Sequence, residues 1–205
     1  MTRSLRDIIH DATHRSHARF DAALTSVDLR RPDYYASFLR GQAEALFPLE
    51  AALEDHDIHE LLPDWEQRRR APALAHDLAA LDIGVDPPPA PRLARGDGDP
   101  TPEMLGVCYV LEGSRLSERV ILSRIADEPD PAIMAATAYL RHGFGRRFWP
   151  SFLATLENHP AGRADPARVI AGAELAFAMF ERALPPTASN TPAWRRAAAA
   201  HIRAA

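Results

Sequence analysis

Apolar residues recur at intervals of three and four positions near the start of the chain, at Leu5, Ile8 and Ile9 and again at Phe20 and Leu24. This spacing places the apolar side chains on one face of a helix. The pattern therefore predicts an amphipathic helix between the first and the last of these residues.

Five further stretches have the same helical spacing. The second helix is expected to begin after Pro32, with Asp33 as its cap and with a kink at Pro48. The other four helices are predicted over residues 64–81, 102–125, 130–156 and 165–184. No stretch of strand length alternates apolar and polar residues, so the pattern predicts an all-α fold.

Residues 83–101 are rich in proline and glycine, which cannot sustain a helix or a strand. We interpret this segment as a long loop inside one domain, because the helices on either side are too few to bury their own apolar faces. The predicted domain covers residues 1–185. The tail, residues 186–205, is rich in proline and then in alanine, and a short terminal helix around Trp194 is one interpretation of it.

The composition is that of an ordinary globular protein, with 46% apolar and 25% charged residues among 205. A net charge of -4, with no arginine-rich block, argues against nucleic acid as a partner. The chain lacks the apolar segment of a signal peptide or a membrane span, so we expect a soluble cytoplasmic protein without a membrane partner. Cys108, the single cysteine, excludes an intramolecular disulfide and is expected to be a small buried hydrophobe.

Four polar residues of the first helix, His10, His14, His17 and Asp21, are spaced to lie on one side of it. They fit a solvated polar face. They also fit a zinc site, which would need a further ligand, most readily from the histidine-rich and acidic segment 54–60. A third interpretation is that one of the histidines is an axial ligand of heme iron.

Gly113 lies in the middle of the helix predicted over residues 102–125, where a glycine costs about 1 kcal/mol relative to alanine. A compensating role is therefore expected. The backbone at this position could approach a flat ligand closely, with the Ser114 hydroxyl at the same surface. A packing contact between helices, or a kink, would explain the glycine equally well.

Several segments, taken together, resemble the bacterial biliverdin-producing heme oxygenases, including those that serve bacteriophytochromes. The most specific is GVCYVLEGSRL, which is similar to the family's distal helix nearly residue by residue. The segment IIHDATHRSHARFD resembles the first helix, which carries the proximal histidine. Further segments in the family's order are YYASFLRGQAEALFPLEAAL, HDLAALDI, RFWPSFLATL and RVIAGAELAFAMFERAL.

The resemblance implies a single-domain heme oxygenase-like multi-helix bundle that binds heme as cofactor and substrate. Heme would be cleaved with O2 and electrons to biliverdin, Fe(II) and CO. The electrons would come from a ferredoxin, a flavoprotein or a small reductant, and a bacteriophytochrome would be the acceptor of the product. The implied residues are His17 as axial iron ligand; Thr13, Tyr109 and Gly113 in heme binding; and Gly113, Ser114 and Ser117 in catalysis, where the hydroxyls would help to hold an ordered water.

The chain departs from the family where a pair of glycines usually follows in the distal helix, because Ser117 and Glu118 occupy these positions. A glutamate facing the iron would bring an unpaired charge into an apolar pocket, so Glu118 is expected to point away or to alter the pocket. A non-catalytic heme or tetrapyrrole binding protein on the same fold is therefore the alternative. His10 also replaces an arginine near the heme propionates, and the candidates to replace its charge are Arg3, Arg6, Arg146 and Arg147.

Overall fold

The computed structural model describes residues 3–93, 98–127 and 129–184, and in this part of the chain it contains helices and no strand. The all-α prediction is confirmed. The helices are α1 Leu5–Thr25, α2 Pro32–Glu54, α3 Ile58–Leu61, α4 Trp65–Arg68, α5 Ala71–Ala80, α6 Thr101–Ala126, α7 Pro131–Ala135, α8 Ala138–Arg141, α9 Phe148–Asn158, α10 Pro160–Ala164 and α11 Pro166–Ala183. The terminal helix predicted around Trp194 lies outside the described residues.

The α11 helix lies at the centre of the bundle and packs against α1, α2 and α6. The α6 and α11 backbones meet at two glycines, because a Cβ at Gly106 would overlap the Val169 carbonyl oxygen and one at Gly172 would overlap the Glu103 carbonyl oxygen. The buried apolar side chains form a cluster that includes residues of α1, α2, α6 and α11. Cys108 is fully buried in this cluster, as predicted.

The helices predicted from the most regular patterns are confirmed to within one residue at each end, as α1, α6 and α11. The helix predicted over residues 64–81 is wrong, since α4 and α5 are separate helices with Arg69 extended between them at ψ 136°. Pro72 explains the break, because proline lacks the N–H that a continuing helix needs and is favoured in the first turn.

The long helix predicted over residues 130–156 is also wrong, because three shorter helices, α7, α8 and α9, occupy this region. Gly143 and Gly145, between α8 and α9, have φ values of 76° and 77°, a left-handed conformation that ends a helix. The cap predicted at Asp33 is wrong as well. Arg31 is the residue before the helix, and Asp33 lies inside the first turn and pairs with the Arg31 side chain at 3.1 Å.

Two buried carboxylates each connect one helix to the start of another. Glu50 of α2 accepts a hydrogen bond from the Arg70 backbone N–H at 2.7 Å, and Asp77 of α5 accepts one from the Tyr139 backbone N–H at 2.8 Å. Burial raises the pKa of both carboxyl groups. Each carboxylate accepts hydrogen bonds from backbone N–H groups at the start of another helix, Glu50 at α5 and Asp77 at α8. These bonds hold Arg70 and Tyr139 in place beside α6.

No helix in the described ranges is long and apolar enough to cross a membrane.

Candidate functional site

A cleft lined by residues of α1, α2, α6, α9 and α11 is the candidate site, and we call it the α1–α6 cleft. Its volume is about 920 Å³ when the open solvent at its mouth is included. The apolar lining residues are Phe20, Leu24, Phe38, Val110, Gly113, Leu116, Ile121, Trp149, Phe177 and Phe180. The polar ones are Arg6, His10, His17, Gln42, Tyr109, Ser114, Ser117 and Glu118.

His17, the predicted iron ligand, lines the α1–α6 cleft from α1, and its side chain is 48% exposed. Its ring lies 5.6 Å from the Phe177 ring, measured between centroids. The His17 Nε2 atom is 3.7 Å from a carboxylate oxygen of Asp21, beyond normal hydrogen-bond distance. A neutral imidazole has one nitrogen lone pair. His17 can therefore offer a ring nitrogen to a metal ion in the cleft.

The other polar residues of α1 are placed differently. His10 lines the cleft, whereas His14 does not. Thr13 is buried, lies outside the cleft lining and donates from its hydroxyl to the Ile9 carbonyl oxygen at 2.8 Å, so its hydrogen bond serves α1 itself.

Within residues 3–93, 98–127 and 129–184, no group of three or more histidine, cysteine, aspartate or glutamate side chains could hold a metal ion. The histidines of α1 and the segment 54–60 therefore do not form the zinc site considered above. His59 instead lies 3.6 Å from Glu66, outside the cleft.

Gly113 lines the α1–α6 cleft and has room for a side-chain carbon. A Cβ built at this position would meet only the Trp149 ring, at 3.7 Å, which is ordinary van der Waals contact. A packing contact therefore does not explain this glycine, whereas it does explain Gly106, about two turns earlier in the same helix. The backbone of α6 at Gly113 is thus accessible to a ligand in the cleft, and Tyr109, one turn before it, lines the cleft beside Trp149 at 5.5 Å between ring centroids.

The two serines of α6 line the cleft but differ in their hydrogen bonds. The Ser114 hydroxyl donates to the Leu111 carbonyl oxygen at 2.9 Å and accepts from Arg70 Nη1 at 3.0 Å. Ser117 makes no side-chain hydrogen bond with any residue that the structure describes. A hydroxyl has a single proton, so Ser117 is the one with its proton free for a ligand or a water in the cleft.

Glu118 is among the residues that line the cleft, and its side chain is buried against Arg70. Its charge is paired, because Glu118 Oε1 accepts from Arg70 Nη1, a side chain only 1% exposed. Arg70 also donates to the Leu111 carbonyl oxygen at 2.9 Å. Burial acts to lower the pKa of Arg70, but the negative groups around it, Glu118 first, together outweigh burial and leave the pKa above its usual value. The cost of a buried charge is thus offset by an arginine.

Tyr139 completes this group, which we call the Arg70–Glu118 cluster. Its hydroxyl donates to Gln42 Oε1 at 2.9 Å, and Arg70 lies over its ring at 5.4 Å from the centroid. Burial, and next the charge of Glu118, raise the pKa of Tyr139 well above its usual value. Sequence reasoning missed Arg70, Tyr139 and Gln42, and no spacing pattern connects Arg70 with a partner 48 positions away.

Among the arginines considered for propionates, only Arg6 lines the α1–α6 cleft. Arg3 pairs with Asp11 on the outer side of α1. Arg146 and Arg147 line a separate pocket near His142. The basic end of the cleft is therefore formed by Arg6 together with His10.

Comparison with known proteins gives a consistent result. The family model described as Heme oxygenase matches residues 3–185. A curated protein named heme oxygenase, from Xanthomonas campestris pv. campestris (strain 8004), is 34% identical over 157 residues, which is 74% of this chain and 89% of the relative. Both the first-helix histidines and the cleft-lining part of α6 fall within the residues that the family model matches.

Proposed function

The chain belongs to the heme oxygenase family, and on that premise we propose that it binds heme in the α1–α6 cleft and cleaves it to biliverdin, Fe(II) and CO. The observation that carries this proposal is that His17 of α1 and Gly113 of α6, which has no Cβ, line the same apolar cleft. One supplies an iron ligand, and the other leaves room for a flat macrocycle.

The lining of the cleft fits heme in three respects. Phenylalanines of α1, α2 and α11 supply apolar walls, which suit a porphyrin ring. His17 supplies a nitrogen ligand of the kind that heme iron takes in many proteins. Arg6 and His10 supply positive or hydrogen-bonding groups at one end, where the propionates would lie.

When bound, heme supplies the iron that activates O2 and is itself the molecule that is opened, with electrons from a ferredoxin, a flavoprotein or a small reductant. His17 would hold the iron, and a turn of its ring that brings Nδ1 towards Asp21 would leave Nε2 free to bind. Gly113 would let the α6 backbone approach the ring. Ser117, whose proton is free, would hold a water in the cleft, while Ser114 would act as an acceptor for it. Tyr109 would contact the ring edge, and Thr13 would stabilise α1 through its hydrogen bond to the Ile9 carbonyl oxygen.

The proposal also includes a cytoplasmic location and a bacteriophytochrome as acceptor of the product. The location is supported by the single cysteine, which fits a reducing compartment. The acceptor follows from the resemblance of the GVCYVLEGSRL segment and of the first helix to the phytochrome-associated members of the family.

The test is a hemin titration of the purified protein, followed by visible spectra in air after ascorbate or a ferredoxin system is added. His17→Ala is the critical variant. His14→Ala is its matched control, because His14 is a histidine of the same helix that does not line the cleft. We expect a Soret band that decays into the broad red absorption of biliverdin in the wild type and in His14→Ala. His17→Ala is expected to bind hemin at least about tenfold more weakly, equivalent to about 1.4 kcal/mol.

A Soret complex that persists unchanged under reducing conditions in air would favour the alternative, a non-catalytic heme or tetrapyrrole binding protein. The replacement of the family's glycine pair by Ser117 and Glu118 is the feature that gives this alternative its weight. Absence of hemin binding in the wild type would overturn both proposals.

A further inference from the structure

We infer that Glu118, held by Arg70, selects the ligand that binds beside the iron: its carboxylate accepts a hydrogen bond from a neutral donor such as water and disfavours anions. This inference rests on the proposed function, because it requires heme bound through His17 in the α1–α6 cleft. It concerns a residue that stands where the family usually has glycine, and so describes a property of this chain.

The first observation is an unfilled, buried hydrogen-bond acceptor that belongs to a residue of the cleft wall. Glu118 is 4% exposed and lines the cleft, and its Oε1 atom is bound to Arg70. Its Oε2 atom is buried and has no hydrogen-bond partner among the residues that the structure describes. Because a carboxylate oxygen buried without a donor is costly, a ligand that donates a hydrogen bond here would be favoured.

Neighbouring hydroxyls do not supply the missing donor. The Tyr139 hydroxyl is close enough to Glu118 for a hydrogen bond between them to contribute to the raised pKa of Tyr139, but its single proton goes to Gln42 Oε1, and Gln42 would lose this donor if the hydroxyl turned to Glu118. The Ser114 hydroxyl lies 3.4 Å from Glu118 Oε1, but its proton goes to the Leu111 carbonyl oxygen at 2.9 Å. The cluster therefore has one acceptor more than its hydroxyl protons can satisfy. A water or another neutral donor in the cleft would complete it.

The second observation is the position of the two charges relative to the cleft. Glu118 lines the α1–α6 cleft, whereas Arg70 lies behind it, 1% exposed and outside the lining. The pair thus presents its negative end to the cleft. A neutral molecule with an O–H group can donate to that end, while an anion meets the carboxylate before it meets the guanidinium.

The test uses the ferric heme complex, titrated with the anions azide and fluoride and with neutral imidazole at about pH 8, where imidazole is uncharged. Glu118→Gln is nearly isosteric and removes the negative charge, leaving Arg70 positive. We expect it to bind azide and fluoride about tenfold to a hundredfold more tightly than the wild type, with imidazole affinity within about threefold. Dissociation constants are read from the shift of the Soret band at constant ionic strength.

Glu112→Gln is the matched control. Glu112 is a buried carboxylate of the same helix, also paired with arginines, but it does not line the cleft. Its variant should bind azide as the wild type does, even if it is less stable. A purely structural role for Glu118 would make the two variants alike.

If Glu118→Gln does not fold, the double variant Arg70→Met with Glu118→Leu replaces the charged pair by apolar side chains, a change that proteins often tolerate. It too should bind azide more tightly than the wild type, because the negative end of the pair is gone. Equal azide affinity in the variant and the wild type would overturn the inference while leaving the proposed function intact. Failure of the wild type to bind hemin would instead overturn the proposed function.

Discussion

The first half of α6 contains a glycine and a buried glutamate, and both are fully used by the protein itself. Gly106 packs against the α11 backbone with no room for a Cβ. Glu112 receives hydrogen bonds from Arg115 at 3.0 Å on each carboxylate oxygen, and Arg68 lies 3.2 Å from one of them. We call this group the Arg68–Glu112–Arg115 cluster.

Two later residues of α6 are of the same two types, Gly113 and Glu118, but have different surroundings. A Cβ at Gly113 would have room, and one oxygen of Glu118 has no donor among the described residues. Space and an unfilled acceptor on the same wall are typical of a surface that binds something. The comparison separates two residues of α6 that serve packing and ion pairing from two that line the cleft, although the sequence is equally helical at all four positions.

The largest expected effect is the loss of stability in Glu112→Gln. The substitution leaves two buried arginines, Arg68 and Arg115, without their shared carboxylate. We expect the free energy of unfolding to fall by about 3–5 kcal/mol, measured by urea denaturation of the heme-free protein. Glu118→Gln leaves only Arg70 without its carboxylate and should cost less. A greater loss for Glu118→Gln than for Glu112→Gln would contradict the distinction between the two glutamates.

Replacing each of the two glycines by alanine is expected to change the free energy of unfolding in opposite directions. Gly106→Ala would force α6 and α11 apart and should lower the free energy of unfolding by about 1–3 kcal/mol. Gly113→Ala adds a Cβ at ordinary contact distance and should raise it by up to about 1 kcal/mol, as alanine favours the helix. Thermal unfolding of the heme-free proteins measures both. Equal destabilisation by the two substitutions would show that Gly113 is also a packing residue.

The last prediction is a pH dependence at the Arg68–Glu112–Arg115 cluster. Arg115 Nη1 donates to His142 Nδ1 at 3.1 Å. Burial, and next the charge of Arg115, lower the pKa of His142 from 6.5 to about 4. The unfolded chain therefore binds more protons than the folded one between these two values, and His142 contributes a loss of stability as the pH falls from about 6.5 to about 4.

We expect this contribution to be about 1–2 kcal/mol, after allowance for the partial exposure of the ring. The measurement is urea denaturation at several pH values of the wild type and of His142→Asn, whose side-chain oxygen can still accept from Arg115. Glu50 and Asp77, with raised pKa values, act in the opposite direction but are present in both proteins. Identical pH profiles for the two proteins would show that His142 does not titrate as described.

Much of the fold could be predicted from the sequence, because the longest helices follow from local periodicity. The apolar spacing near the chain start, in residues 102–125 and in residues 165–184 agrees with α1, α6 and α11. The candidate site could be predicted in part, since His17 and Gly113 are unusual at their own positions. Arg70, by contrast, is the third of three consecutive arginines, and nothing in their local pattern distinguishes it from its neighbours.

The sequence by itself determined the helix types, the positions of these two residues and the colinear family motifs, since each depends on neighbours a few positions away. Only the tertiary structure decided that Glu118 faces the cleft as one half of an ion pair. That pairing depends on α5 beginning beside α6, where Glu50 of α2 holds the Arg70 backbone. Charge pairing is a matter of distance in space, and residues 48 positions apart become neighbours only when the helices pack.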